Sequence, residues 1–128
     1  MTVKVVDASA VVALLFNETT REEIVARLHG VSLAAPALIR YETANACLKK
    51  LRASPHEKRA LLEAFSLFNA LSITLEPVEL GDAITLAEKT KLSLYDASYL
   101  WLARALGAEL VTLDEKLARA DEALRRAG

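Results

Sequence analysis

The chain has 128 residues, a formal net charge of −1 and 53% hydrophobic residues. This length suits one domain with its own hydrophobic core, so we expect a single domain over residues 1–128. The near-zero charge excludes a protein that attracts nucleic acid or membranes through its overall charge. Any nucleic-acid site therefore has to be a local basic patch.

Cysteine content and hydropathy indicate the compartment. Cys47 is the only cysteine, which excludes an intrachain disulfide and fits a reducing compartment. The first residues lead into a short apolar segment without the basic and long apolar stretches of an export signal. Since no apolar run approaches the roughly 18 residues that span a bilayer, we expect a soluble, cytoplasmic protein.

The first half of the chain alternates short valine- or alanine-rich runs with longer helical patterns. In chain order, we predict a strand over 3–7, helices over 9–16 and 20–28, a strand over 31–35 and a helix over 38–52. The alternation indicates strands that are connected through helices rather than through tight hairpins.

The second half continues the alternation. We predict a helix over 54–71, a strand over 72–75, helices over 79–89 and 94–106, a strand over 110–113 and a helix over 114–126. Strands separated by helices pair in parallel and are covered on both faces. The predicted fold class is therefore α/β, a three-layer α/β/α sandwich with a short parallel sheet of four or five strands.

Two aspartates lie at the ends of predicted strands. Asp7 is the last residue of the first strand, and Asp114 directly follows the last strand. Binding sites of parallel α/β sheets lie at the carboxyl ends of the strands, so these side chains converge if the two strands are neighbours. Taken singly, each aspartate is better explained as the N-cap of the helix that follows it than as a catalytic residue.

Two further acids lie near predicted helix starts. Asp96 follows Ser93 at the spacing of a capping box, and a structural role in the first turn of the helix would be enough to explain an aspartate there. However, residues 95–103 around this aspartate are almost wholly apolar. Glu42 has Asn45 three residues on, on the same helix face, although a lone glutamate is usually solvent-facing. Carboxylates clustered in apolar surroundings are costly unless a cation neutralises them, and magnesium prefers such oxygen ligands.

Two hydroxyl residues adjoin the strand-end aspartates. Ser9 lies two residues after Asp7, and Thr112 lies two residues before Asp114. Either hydroxyl could orient a carboxylate or hold a water of the metal site. The alternatives are a helix-start hydroxyl for Ser9 and an ordinary strand residue for Thr112.

Four segments together resemble the ordered motifs of the PIN-domain family. They are VVDASA around Asp7, RYETAN around Glu42, YDASYL around Asp96 and LVTLDEKL around Asp114. Each motif is weakly specific, but the four in this order cover nearly the whole chain. Within the family, the pattern is most similar to the VapC group, the toxin half of type II toxin–antitoxin pairs.

The resemblance implies a magnesium- or manganese-dependent endoribonuclease that is silenced by a small antitoxin. It implies that Asp7, Glu42, Asp96 and Asp114 form the catalytic and metal-binding centre, with Ser9, Thr112 and Asn45 in support. Our hypothesis is that the three aspartates hold metal directly or through water, while Glu42 binds the same ion or positions the attacking water.

Residues 40–59 form a basic stretch that could follow the phosphates of RNA. Within it we expect RNA contacts from Arg40, Lys49, Lys50 and Arg52. The alternative is a solvated helix face. Aromatic residues make up only 5% of the chain, so base stacking is expected to be limited.

The segment 57–71 carries an apolar arc wider than one domain core usually needs. We expect it to form a homodimer contact or a groove for the antitoxin, with a helix buried inside the domain as the alternative.

Two other functions remain open at this point. A phospho-receiver domain also has aspartates at strand ends, but it requires a lysine at the end of a late strand, where this chain has Asp114. A non-catalytic binding module, in which the acids are only helix caps, is the second.

Overall fold

A computed structural model describes residues 2–127, in which four strands form one sheet between two layers of helices. The strands are β1 (Val3–Val6), β2 (Ser32–Pro36), β3 (Thr74–Glu76) and β4 (Glu109–Val111). The α-helices are α1 (Ala8–Leu15), α2 (Arg21–Leu28), α3 (Leu38–Ala53), α4 (Lys58–Ser66), α5 (Leu80–Thr90), α6 (Leu94–Leu106) and α7 (Glu115–Ala127). The predicted α/β/α sandwich is confirmed, with four strands within 2–127.

The sheet has the order β3-β2-β1-β4, and its strand pairs are parallel. In the centre, Val5 is aligned with Ala34 of β2 and with Leu110 of β4. The chain moves from β1 to β3 in one direction and then returns past β1 to β4. Because parallel crossovers are right-handed, this reversal places the connecting helices on opposite faces and opens a crevice at the carboxyl ends of β1 and β4.

Helix α6 fixes one side of that crevice. It packs on β1, β2 and β4 and buries six residues, Tyr99 and Leu100 among them. The Ser93 hydroxyl accepts a hydrogen bond from the Asp96 N–H at 3.0 Å and so starts the helix, while Gly107, at φ +61°, ends it. Since α6 leads into the beginning of β4, its first turn lies at the carboxyl edge of the sheet.

Several predicted boundaries were wrong near turns. The helix predicted over 54–71 is broken into a 3₁₀ turn (Pro55–Glu57), α4 and a second 3₁₀ segment (Leu67–Leu71). Ser72 ends that segment with φ at +52°, so β3 begins at Thr74 rather than at Ser72. The predicted strands over 3–7 and 110–113 end early, because Asp7 and Asp114 turn out of the sheet to cap helices.

Helix α4 lies on the surface of the described chain. None of its residues is fully buried; Leu62 on α4 and Leu67, in the 3₁₀ segment that follows it, expose 48% and 57% of their area. The alternative of a helix buried inside the domain is therefore wrong. Beneath it, the buried Cys47 directs its thiol at the Leu61 carbonyl, 3.7 Å away.

Membrane-spanning helices were also sought. Between residues 2 and 127, no helix has the length and apolar character needed to cross a bilayer.

Candidate active site

Asp7 lies at the carboxyl end of β1, where it caps α1 and is held from both sides. Its Oδ1 accepts hydrogen bonds from the Ala10 N–H at 3.1 Å and from the Ser9 hydroxyl at 2.6 Å. Its Oδ2 accepts a hydrogen bond from the Thr112 hydroxyl. The interpretation of Asp7 as a helix cap is confirmed, and the same contacts fix its carboxylate in the crevice.

The two hydroxyls also tie the end of β1 to the segment after β4. Ser9 Oγ accepts the Leu113 N–H at 2.8 Å, and Thr112 Oγ1 accepts the Asp114 N–H at 3.0 Å. Asp114 then caps α7, since its Oδ1 accepts the Leu117 N–H at 3.0 Å. Ser9 and Thr112 therefore orient both aspartates at one edge of the sheet.

Glu42 is positioned by a tyrosine that sequence reasoning overlooked. The Tyr99 hydroxyl donates a hydrogen bond to Glu42 Oε1 at 2.6 Å, which joins α3 to α6. Burial and the neighbouring Glu42 carboxylate raise the pKa of Tyr99, so its hydroxyl remains protonated at physiological pH. The sequence does contain a signal for this role of Tyr99. Tyr99 lies three residues after Asp96 and therefore shares its helix face.

The four acids influence one another electrostatically, and we call them the acidic centre: Asp7, Glu42, Asp96 and Asp114. Burial is the main cause that raises the pKa of Asp7, Glu42 and Asp96 above the ordinary carboxyl value. Repulsion adds to it: Asp114 acts on Asp7 and Asp96, while Asp96 and Asp7 act on Glu42. The fold thus brings together all four acids singled out in the sequence.

These raised pKa values predict a pH dependence of stability in metal-free protein. A carboxyl group with a raised pKa binds more protons when folded, so its contribution to stability is complete below its unfolded pKa, near 4. That contribution is lost as pH rises through the folded-state pKa. With EDTA present, we expect the urea midpoint to fall from pH 5 toward neutrality, and Asp7→Asn to make the fall shallower.

Glu109 sets the lowest pH at which this measurement reports on the acidic centre. Burial raises its pKa, but hydrogen bonds and charge from Arg27 and Lys4 outweigh burial and lower it. Glu109 therefore contributes stability that is lost as pH falls below about 4.5, the opposite sign. A midpoint that rises from pH 5 to neutrality, or equal slopes in the two proteins, would contradict the assigned coupling.

The donor set suits a hard divalent cation. The side chains of the acidic centre and of Ser9 and Thr112 offer only oxygen atoms, the ligands that Mg²⁺ and Mn²⁺ prefer. Among residues 2–127, no three acidic, histidine or cysteine side chains are close enough to form a direct metal cage. Mg²⁺ usually keeps several waters and takes only one or two protein carboxylates, so it does not require such a cage.

A cleft of about 490 Å³ borders the acidic centre along α3. Glu42, Asn45 and Lys49 line it from successive turns of that helix, and Ser9 lines it from α1. Of the other predicted RNA contacts, Arg40 and Arg52 are exposed on α3. The Lys50 ammonium is already engaged in other contacts. Its Nζ lies 3.5 Å from Glu18 Oε2 and 5.5 Å from the centre of the Phe16 ring.

Comparison with known sequences identifies related proteins along nearly the full chain. The PIN domain family profile matches residues 4–123. Ribonuclease VapC3 of Pyrobaculum aerophilum is 36% identical over 136 residues, covering 94% of this chain and 95% of the relative. Ribonuclease VapC9 of Mycobacterium tuberculosis is 34% identical over 122 residues, covering 93% and 91%.

Solved structures show the same fold. PAE2754 from Pyrobaculum aerophilum superposes with a TM-score of 0.76 at 27% identity, covering 98% of this chain and 94% of that one. VapC20 of Mycobacterium tuberculosis, described as a toxin that cleaves the sarcin–ricin loop, superposes with a TM-score of 0.65 at 17% identity, covering 93% and 95%. At that identity the second likeness concerns the fold alone.

Proposed function

The chain belongs to the PIN-domain family, and we propose that it is a metal-dependent endoribonuclease, the toxin of a type II toxin–antitoxin pair. The ribonuclease names of two relatives at 34–36% identity support the RNA substrate. The family match leaves no support for a phospho-receiver domain.

The observation that carries the proposal is the convergence of the acidic centre at the sheet crevice. Asp7 and Asp114 would serve as helix caps anywhere on the surface. Two caps alone do not require Glu42 and Asp96 to approach them from other helices, since each added carboxylate raises the electrostatic cost. A cation that neutralises the centre recovers that cost, so the arrangement is better explained by metal binding than by capping.

In the proposed mechanism, Asp7, Asp96 and Asp114 hold Mg²⁺ or Mn²⁺ directly or through water. The ion supplies charge neutralisation for the phosphate and lowers the pKa of water. Ser9 and Thr112 keep Asp7 oriented, and Tyr99 keeps Glu42 in the crevice. Glu42, hydrogen-bonded through Oε1, can use its other oxygen to orient the attacking water.

The RNA backbone is held along α3. Lys49 lines the cleft beside Glu42, so we propose that it contacts a phosphate there, with Asn45 in support. Arg52, exposed three residues after Lys49, extends this basic surface along α3, whereas Arg40, two residues before Glu42, is exposed on the other side of the helix. Lys50 contributes less, because Glu18 already compensates its charge.

Incubation of the purified chain with labelled RNA tests the proposed function. We expect fragments with magnesium or manganese and intact RNA with EDTA. Absence of cleavage in both ions over a set of structured and unstructured RNAs would favour the non-catalytic binding module.

The apolar surface on α4 supports a homodimer that an antitoxin can occlude. Leu62 on α4 and Leu67 just after it are exposed, and the half-buried Phe65 and Phe68 stack in the same segment with ring centres 6.2 Å apart. Exposed apolar patches of this kind mark protein contacts. We propose that this surface forms the contact between two copies and borders the groove for an antitoxin segment.

The dimer contact predicts a specific disruption. Leu67→Asp is expected to convert a dimer to a monomer in light scattering at micromolar concentration, because a buried unpaired carboxylate destabilises an apolar interface. Val25→Asp, at a residue 41% exposed on α2, is the matched control and should leave the dimer intact. A wild-type chain that is monomeric at this concentration would refute the dimer.

A further inference from the structure

The exposed aromatic side chains of this protein are concentrated at one place. Among residues 2–127, Tyr41 and Tyr95 expose 73% and 61% of their area. The other aromatic side chains are half-buried or buried, namely Phe16, Phe65, Phe68, Tyr99 and Trp101. The low aromatic content therefore conceals a local concentration, since both exposed rings immediately precede an acid of the acidic centre.

Both tyrosines lie in the first turns of the helices that carry Glu42 and Asp96. Tyr41 lies at the end of the first turn of α3, next to Glu42. Tyr95 lies in the first turn of α6, four residues before Tyr99, so it shares the face of α6 that reaches Glu42 through the 2.6 Å hydrogen bond. Two exposed aromatic rings are thus carried by the same helix turns as Glu42 and Asp96.

We propose that Tyr41 and Tyr95 stack on the unpaired bases that flank the cleaved phosphodiester. The inference rests on the proposed nuclease function and assigns to these two side chains the contacts with the bases of its substrate. The acidic centre, through its cation, can engage only the phosphate, so contacts to the neighbouring bases have to come from the side chains around it. Aromatic faces provide such contacts without sequence preference, and only bases free of a duplex can accept them.

Binding measurements in an Asp96→Asn background test this role without cleavage. A fluorescent single-stranded RNA oligonucleotide in magnesium is the probe. Tyr41→Ala and Tyr95→Ala are each expected to raise its Kd by about 5- to 100-fold, the usual effect of losing one base–aromatic stack. Phenylalanine should restore binding at both positions, whereas leucine, apolar but without a ring, should not.

Abasic nucleotides separate stacking from a structural role. An abasic position scanned along the oligonucleotide should weaken binding to the tyrosine protein at the stacked positions. There, the alanine variants should bind abasic and normal RNA equally well. The matched control is Leu80→Ala on α5, a residue 57% exposed, which should leave the Kd unchanged.

The outcomes distinguish this inference from the proposed function. If the parent chain cleaves RNA but both alanine variants bind like the background protein, the stacking proposal alone is overturned and the rings are left to a protein partner. If the parent chain cleaves no RNA in magnesium or manganese, the proposed function fails and the stacking proposal with it.

Discussion

Asp96→Asn is expected to reduce RNA cleavage by at least about 100-fold while the protein remains folded. The change removes one negative charge from the acidic centre, and loss of a metal-mediated stabilisation of a few kcal/mol corresponds to such a factor. The fold should persist because the Asp96 backbone N–H still donates to the Ser93 hydroxyl, and asparagine keeps a side-chain oxygen where the carboxylate accepts from Ser93. Cleavage of labelled RNA and circular dichroism measure the two effects.

Asp82→Asn is the matched control for this variant. Asp82 is also an aspartate at the third position of a helix, in the first turn of α5, and it lies outside the acidic centre. The Asp82→Asn protein should cleave RNA at the wild-type rate. Full activity in Asp96→Asn, with EDTA still inhibiting the wild type, would show that the metal site lies elsewhere.

Asp7→Asn is expected to stabilise metal-free protein at neutral pH by about 1 kcal/mol, the usual size of the gain from relieving an unfavourable charge. Burial and the nearby Asp114 raise the pKa of Asp7, which means that the folded chain disfavours its charge. Asparagine removes that charge but keeps an oxygen for the Ala10 N–H, and the two residue types cap helices equally well. A thermal midpoint about 3–5 °C higher would report the change.

Magnesium should reverse the order of stability, so that the wild type becomes more stable than Asp7→Asn. At an ion concentration 100 times Kd, binding to the folded state stabilises by about 2.7 kcal/mol, so the wild type should gain more than Asp7→Asn or Asp114→Asn. Asp121→Asn is the matched control, since Asp121 is also buried but pairs with Arg125, outside the acidic centre. Equal magnesium shifts in all four proteins would mean that Asp7 and Asp114 are only helix caps.

The fold was predictable because its signals are local. The predicted helix over 94–106 has the bounds of α6, since a serine cap and a terminal glycine mark its ends within the sequence. The break in the segment 54–71 was not predictable from an apolar pattern that continues through it. Packing decided that the chain leaves the α-helix after Ser66, and Ser72 adopts its left-handed backbone only in that context.

The candidate site divides in the same way. The sequence was sufficient to select its four acids, because strand ends and ordered motifs identify residues without knowledge of their neighbours. It could not show that Tyr99 holds Glu42 across 57 positions, that Lys49 lines the cleft while Lys50 pairs with Glu18, or that two of three tyrosines are exposed. Those relations depend on how α3 and α6 pack against the sheet, which brings distant residues together and decides which side chains solvent can reach.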